Sequence, residues 1–168
     1  MTVPVYVANE LFKKYKGINE KVKNINRGGC GAFAEHLYKT LKKLNQYPEL
    51  AVITNSIKGM EQRVEVWKQY NKDRFEMYDG YAIVDHIVVI VGDVLVDSEG
   101  LYGKLTDHPD RSYHSQKLYK KLDIDTLEKW NRDGTFWNDS FNRNKIKLIE
   151  AKLEACYKKV KKSLVVLI

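Results

Sequence analysis

Cys30 is the residue of this chain best placed to act as a nucleophile. It follows Gly28 and Gly29 and precedes apolar residues at helical spacing, so the sequence predicts that Cys30 begins a helix. At that position free backbone N–H groups and the positive end of the helix dipole stabilise a thiolate and lower the pKa of the thiol. The plainer interpretation is that Cys30 is a small buried apolar residue, as most free cysteines are. A base within reach of the sulfur would favour the chemical interpretation.

A predicted β-hairpin supplies such a base, with an acid beside it. His86 lies in the segment 81–91, which is dense in valine and isoleucine and predicts a strand. A glycine–aspartate pair then predicts a two-residue turn, and a second short strand ends at Asp97. In the register set by that turn, Asp97 faces Val88 and is the diagonal neighbour of His86 on the same face of the sheet.

These residues have the types needed for nucleophilic catalysis. A carboxylate beside His86 fixes the tautomer of the imidazole and leaves its other nitrogen for the thiol. The sequence therefore predicts a catalytic triad of Cys30, His86 and Asp97. Glu99 lies directly opposite His86 in the same register and is the alternative orienting acid. A buried structural histidine paired with a strand-end aspartate is the competing interpretation.

An acyl-transfer mechanism also needs donors for the oxyanion of its tetrahedral intermediate. The backbone N–H of Cys30 is one candidate. A side-chain amide just upstream, from Asn24 or Asn26, is the predicted second donor.

The other three histidines give weaker signals. His36 follows Cys30 on the same predicted helix at a spacing that rotates it away from the thiol. His108 and His114 lie in a polar segment and could line the edge of a site. A metal site formed by His108, Asp110 and His114 is permitted by their spacing, but the sequence favours no metal and no cofactor.

The elements around these residues predict an α+β fold of one domain over 1–168. The length of 168 residues, with 43% hydrophobic and 30% charged residues, is typical of a globular domain. We predict an insertion at 55–80 and a C-terminal helical extension at 123–168. In chain order the sequence predicts an extended segment at 3–7, helices at 8–16 and 30–45, a strand at 50–54 and a helix at 58–72. The hairpin follows, and then a loop at 103–121. A short helix is predicted next, with Asp125 as its N-cap and Gly134 as the residue that breaks it, and a long amphipathic helix is predicted at 140–162.

Cysteine usage and hydropathy limit the class of protein. Two cysteines, Cys30 and Cys156, make neither a disulfide framework nor a cysteine metal cluster. Residues 1–15 lack the apolar run of a secretory signal, and the apolar tail 164–168 is far too short to cross a bilayer. We therefore expect a cytoplasmic protein with no membrane span.

The formal net charge of +7 raises the question of an anionic partner. Paired lysines such as Lys42-Lys43 and Lys158-Lys159 could attract nucleic acid, an anionic membrane surface or an acidic protein. They are scattered along the sequence at positions expected on helix surfaces, which favours a solvated basic face. The expected partner is a protein or peptide substrate of acidic character, and nucleic acid is disfavoured.

The motif Cys30-Gly31-Ala32-Phe33-Ala34 at a helix start, followed by a histidine-led strand and then an aspartate, resembles the papain-like cysteine hydrolase superfamily. The layout over 24–100 is most similar to its transglutaminase-like and NlpC/P60-like branches. The resemblance implies a catalytic helix packed on an antiparallel sheet, here with additional C-terminal helices. It also implies a thiol protease, amidase or deamidase that forms a thioester from an amide or isopeptide bond. Two positions depart from the family pattern: Asn24 replaces the glutamine that completes the oxyanion hole, and Gly31 replaces a bulky residue.

Two alternatives remain open at this point. The segment Arg27-Gly28-Gly29 before the cysteine is also similar to arylamine N-acetyltransferases, which have one more residue before the cysteine and are considerably longer. An acyltransferase or transglutaminase with the same triad is therefore the second hypothesis. The third is a non-catalytic papain-like module that binds an acidic partner through its lysines.

Overall fold

The computed structural model describes residues 2–55, 83–134 and 141–166, and the helix predicted over 58–72 lies outside them. The described elements form an α+β fold, as predicted. In chain order they are α1 (Val3–Tyr15), α2 (Ile18–Lys21), α3 (Cys30–Lys43), β1 (Glu49–Asn55), β2 (Ile83–Val91), β3 (Val94–Val96), β4 (Leu101–Tyr102), β5 (Lys117–Leu122), α4 (Ile124–Asp133) and α5 (Arg143–Val166).

The five strands form one antiparallel sheet in the order β4-β3-β2-β1-β5. The predicted hairpin between β2 and β3 is confirmed, because Val91 pairs with Val94 and Val89 pairs with Val96. Gly92 makes the turn with a φ of 61°, a left-handed value that suits glycine. The structure therefore has the β2–β3 register from which Asp97 is predicted as the neighbour of His86.

The sheet separates a large core from a small one. On one face, residues such as Val52, Ile87 and Val89 pack against the helices in a single hydrophobic cluster. On the other face a smaller cluster contains Val88, Ile90 and neighbours from β1 and β3, covered by Tyr113 from the segment that follows β4. This division matters for function because the nucleophile belongs to the first face and its predicted base points toward the second.

The two long C-terminal helices share the core of the nucleophile helix. α5 packs on α1 and α3, and α4 packs on α3. Phe141, Ile149 and Leu153 are buried in the same cluster as Cys30. The segment predicted as a C-terminal extension thus supports α3 directly. Within the described part of the chain, no helix combines the length and hydropathy needed to cross a bilayer.

Three local predictions were wrong. The extended segment predicted at 3–7 is the first part of α1, since Pro4 is tolerated in a first helical turn and Val7 is buried in the core. The loop predicted at 103–121 runs into β5, an edge strand that pairs with β1. The N-cap of α4 is Asp123, whose carboxylate accepts a hydrogen bond from the N–H of Thr126, and the predicted cap Asp125 lies inside the helix.

Candidate active site

The turn before α3 delivers Cys30 to the first position of the helix, as predicted. Gly28 has a φ of 111°, which side-chain-bearing residues rarely adopt. Gly29 lies directly against the ring of Phe141, and a Cβ added there would overlap that ring. Both glycines are therefore required by the backbone that positions the cysteine.

Gly31, where the resembled family has a bulky residue, also has a structural reason. Asn131 of α4 donates a 3.1 Å hydrogen bond to the carbonyl of Gly31. A Cβ on Gly31 would lie only 3.0 Å from Oδ1 of Asn131 and 3.3 Å from Ile87. Close packing of α4 and β2 against the start of α3 leaves no room for a larger side chain.

The thiol of Cys30 lies in a protected but polar environment. Its residue is 7% exposed, and burial by itself raises the pKa of a thiol. The proximity of the His86 imidazole, its charge and the backbone N–H groups of Ile87 and Gly31 outweigh burial, so the pKa of Cys30 is lowered. A lowered pKa with a base alongside is the condition for an activated nucleophile.

A β-bulge at Asp85 lies directly before His86 and changes the face of Val84, whereas His86 keeps the alternation of Val88 and Ile90. Ile53 pairs with His86 and Thr54 pairs with Val84, so Asp85 is an extra residue in β2. Residues two apart in a regular strand share a face, yet Val84 packs in the helix-side core while His86 stacks on Tyr113 in the other layer. Bulges redirect side chains in this way and are frequent beside active sites.

The predicted partner of His86 is in place. Nε2 of His86 lies 2.9 Å from Oδ2 of Asp97, and because the carboxylate can only accept, the imidazole donates. Nδ1 of His86 is buried without a hydrogen-bond partner, and the nearby thiol of Cys30 acts on the imidazole through its charge. Burial lowers the pKa of His86, but the hydrogen bond to Asp97 and the proximity and negative charges of Asp97 and Cys30 reverse this and raise it to about 10. The arrangement favours an imidazolium–thiolate pair.

Asp97 is fixed by the turn that follows it. Its Oδ1 accepts hydrogen bonds from the N–H groups of Glu99 at 2.8 Å and Gly100 at 3.1 Å. Its carbonyl accepts a 2.9 Å hydrogen bond from the hydroxyl of Tyr15 on α1. Burial opposes the charge of Asp97, but the hydrogen bonds from two histidines hold the pKa of that carboxyl well below its usual range.

The second of those histidines is His108, a residue that the sequence did not assign to the site. Its Nε2 lies 2.8 Å from the same Oδ2 of Asp97, and its residue is only 3% exposed. Tyr113, from the same segment, stacks on His86 with the rings parallel within 5° and 5.1 Å apart. Nothing in the spacing of His108 marks it, and only the turn-forming residues Pro109 and Asp110 indicate a fixed local structure.

The other predicted residues lie around this centre in different roles. Glu99 accepts a 2.9 Å hydrogen bond from the side-chain amide of Asn26, so Asp97, and not Glu99, binds His86. The Oδ1 of Asn26 accepts from the hydroxyl of Ser98 at 3.3 Å, so this amide is bonded to the turn that follows Asp97. Asn24 begins the turn before α3 with a φ of 67°.

Two histidines lie away from the thiol. His36 lies on α3 with its Nε2 3.6 Å from the carboxylate of Glu35. The ring of His114 contacts the backbone instead, with its Nε2 2.7 Å from the carbonyl of His108. Both arrangements agree with the prediction that neither provides the base.

One group in the described ranges has the residue types of a metal site. The ligand atoms of His86, Asp97 and His108 lie within 4.8 Å of one another. They are already joined by hydrogen bonds of 2.9 and 2.8 Å, so a cation there would have to displace both protons. The alternative set with Asp110 does not converge, because that carboxylate accepts from the N–H of Ser112 at 2.9 Å.

No family model matches the chain, and comparison with curated proteins and with solved structures finds no match. What can be inferred about function therefore comes from the residues and their geometry. The resemblance to papain-like hydrolases remains a likeness of motif and layout.

Proposed function

We propose that this chain is a cysteine hydrolase of the peptidase, amidase or deamidase type, with Cys30, His86 and Asp97 as its catalytic triad. One observation supports this above all others. A buried imidazole lies between a thiol at a helix start and a carboxylate, and the pKa of the thiol is lowered while that of the imidazole is raised. Opposite shifts in two adjacent groups are typical of an acid–base pair set up for chemistry.

The mechanism follows from the positions of the protons. His86 holds the proton of Cys30, and the thiolate attacks the carbonyl carbon of an amide or isopeptide bond. The tetrahedral intermediate collapses to a thioester as the amine leaves with a proton from His86. His86 then removes a proton from water, whose attack releases the acid and restores the thiolate. Asp97 keeps Nε2 of His86 occupied throughout, so that Nδ1 is the nitrogen that exchanges protons with the sulfur.

The oxyanion would be stabilised by the backbone N–H of Cys30, with the amide of Asn24 as the second donor we propose. Asn24 occupies the position of the glutamine in the resembled family, and the amide of Asn26, the other candidate, donates to Glu99. No step requires a metal or a cofactor. Because both cysteines are unpaired, we also propose a reducing, cytoplasmic compartment.

The papain-like layout agrees with this proposal at the level of architecture. A helix that begins at a cysteine packs on an antiparallel sheet, and the histidine and aspartate come from adjacent strands. We propose that the layout is similar to that of the transglutaminase-like and NlpC/P60-like branches. A protein or peptide of acidic character is the proposed substrate, given the net charge of +7.

Transfer of the acyl group to an amine is the second candidate reaction. The thiol is only 7% exposed, and a thioester formed there would be shielded from water. A bound amine would then compete well with hydrolysis. The same triad serves both reactions, so the acceptor decides between them.

Thiol reactivity and acylation together test the proposal. With limiting iodoacetamide at pH 7, we expect Cys30 to be alkylated at least about 10-fold faster than Cys156, as a thiolate-forming cysteine should be. With 4-nitrophenyl acetate, mass spectrometry should find an acetyl group on Cys30 that is absent in Cys30→Ala and is lost with time. Adding a primary amine then separates the two reactions, since capture of the acetyl group by the amine indicates transfer.

The non-catalytic alternative gives a different result. Equal and slow labelling of Cys30 and Cys156, with no acetylated intermediate, would mean that the thiol is a core residue. The chain would then be a binding module. Cys156→Ala is the control that removes the competing thiol without touching the triad.

A further inference from the structure

His108 is a buried histidine to which the triad chemistry assigns no role. Its Nε2 lies 2.8 Å from Oδ2 of Asp97. Its ring is packed between aromatic groups, with the ring centre of Tyr102 at 4.6 Å and that of Tyr113 at 4.9 Å. A ring enclosed in this way has a fixed orientation, so its hydrogen bond to Asp97 is fixed as well.

The backbone determines the protonation state of His108. The N–H of Asp110 donates a 3.0 Å hydrogen bond to Nδ1, and a ring nitrogen that accepts has no proton. The one ring proton therefore lies on Nε2 and is donated to Asp97. Asp110 is itself held, because its carboxylate accepts from the N–H and the hydroxyl of Ser112 at 2.9 and 2.6 Å. Pro109 further restricts the backbone between the two residues.

This tautomer has a consequence for Asp97. Its Oδ2 accepts from His86 and His108, and its Oδ1 accepts from the N–H groups of Glu99 and Gly100. A buried carboxylate with four donors cannot rotate without leaving one of them unpaired, which is costly.

The tautomer also determines where the positive charge resides. Two imidazolium rings on one carboxylate oxygen would repel each other. The N–H of Asp110 keeps His108 neutral, so His86 alone can hold the charge beside the thiol.

We propose that His108 is a positioning residue: as a neutral Nε2–H donor it fixes Asp97 and leaves His86 as the histidine of this cluster that takes the proton of Cys30. The inference rests on the proposed function, since the role exists only if His86 acts on the thiol.

The titratable groups that face the two imidazoles are Cys30, Asp97, Tyr102, Tyr113 and, through the backbone of the segment, Asp110 and His114. Burial raises the pKa of both tyrosines, so they stay neutral over the range tested below.

Ring-nitrogen NMR of the 15N-labelled protein tests the tautomer. At pH 7 we expect His108 to show the Nε2–H tautomer, with Nδ1 unprotonated. His86 should be protonated on both nitrogens, because its pKa is raised to about 10. A His108 ring that carries two protons at pH 7 would overturn the proposal.

A pair of substitutions at Asp110 isolates the backbone N–H. Asp110 has a φ of −79°, which proline adopts, so Asp110→Pro removes the N–H with little change in the chain path. Asp110→Ala removes the same carboxylate but keeps the N–H and is the matched control. We expect the Nδ1 resonance of His108 at pH 7 to lose the shift of a hydrogen-bonded acceptor in the proline variant alone. The same His108 spectrum in both variants would contradict the proposed role of the N–H.

Substitutions of His108 measure the effect on chemistry. His108→Phe keeps the ring shape but removes the donor, and we expect alkylation of Cys30 at pH 7 to slow by about 10-fold or more, the effect of losing a hydrogen bond to a charged group. His108→Gln can still donate and should stay within about 3-fold of the unsubstituted protein. His36→Phe, the same exchange away from the site, should change nothing.

The outcomes separate this inference from the proposed function. If Cys30 in the unsubstituted protein reacts no faster than Cys156, the proposed function fails. If Cys30 is fast and His108→Phe is equally fast, only the role of His108 is wrong. Should His108→Phe fail to fold, His108→Asn replaces it, because the asparagine amide is one methylene shorter than that of glutamine. Equal rates of Cys30 alkylation in the asparagine and glutamine variants would overturn the proposal.

Discussion

Cys30 and Cys156 lie in the same hydrophobic core, and only one of them has the surroundings of a nucleophile. Both residues are nearly inaccessible, at 7% and 2% exposure. Burial raises the pKa of the Cys156 thiol, and the nearby positive charges, Lys152 among them, do not offset it. Burial also acts on Cys30, but an imidazole and two backbone N–H groups reverse its effect. The opposite pKa shifts of the two thiols therefore come from the polar partners of each sulfur and not from its exposure.

Replacing the base should remove the difference between the two cysteines. In His86→Ala the pKa of Cys30 rises because burial is no longer opposed by the imidazole. We expect iodoacetamide alkylation of Cys30 at pH 7 to slow by about 100-fold or more, the usual contribution of a positioned base, while Cys156 is unaffected. His36→Ala is the control for loss of a histidine elsewhere on the molecule. An unchanged rate at Cys30 would show that the helix start alone activates the thiol.

Removing the charge of the acid should have a smaller effect on reactivity and a clear effect on stability. Asp97→Asn places an amide among four donors, and we expect alkylation of Cys30 to slow by about 10-fold and the free energy of unfolding at pH 7 to fall by about 1–3 kcal/mol. Asp93→Asn, on the exposed hairpin turn, is the control.

The pH dependence of stability tests the same carboxylate. The pKa of Asp97 is lower in the folded protein than in the unfolded chain, so its contribution is present above about pH 4 and is lost as the pH falls below that value. Urea unfolding at pH 7 and pH 3 should therefore show a smaller loss of stability in Asp97→Asn than in the unsubstituted protein. Equal losses would mean that Asp97 is not held as an ion by its histidines.

The thiol should also influence its base. In Cys30→Ala, His86 loses a neighbouring thiol and its negative charge, so its pKa should fall from about 10. We expect a decrease of about one unit or more, measured by NMR titration. The same titration of His36 should be unchanged, and a constant pKa for His86 would indicate that Asp97 alone sets it.

The smallest effect on reactivity is expected at the second cysteine. Cys156→Ala leaves a small cavity under α5 and should lower the free energy of unfolding by about 1 kcal/mol. Alkylation of Cys30 should remain the same. A change in that rate would mean that the two thiols are coupled through the core, which would weaken the contrast drawn between them.

The sequence predicts the contacts that depend on regular patterns. Hydrophobic periodicity and the paired glycines place Cys30 at a helix start, and a two-residue turn fixes the register that brings Asp97 to His86. These predictions succeed because helix and hairpin geometry allow few alternatives. The same reasoning cannot find the bulge at Asp85, since the extra residue is defined by pairing with β1.

The contacts that the sequence misses come from irregular backbone. His108 reaches Asp97 from a segment without periodicity, through two short 3₁₀ turns, Leu105–Asp107 and Arg111–Tyr113. β5 is not predicted by the sequence because Lys117, Lys120 and Lys121 interrupt any alternation of its apolar residues, and edge strands tolerate such lysines. The start of α1 was missed because its β-branched residues favour a strand, while burial against the core favours a helix. In each case tertiary packing, and not the local conformational preference of the residues, determines the structure of the segment.

The position of the imidazole–carboxylate cluster along the chain has a consequence for how the protein matures. Asp97 lies eleven positions along the chain from each of its two histidines, so this cluster closes through short loops at low entropic cost. The sulfur must arrive from a remote part of the chain, when α3 docks on the sheet. We therefore expect a newly synthesised or partly folded chain to have an ordinary, slowly reacting thiol, so that reactivity itself reports the completion of folding.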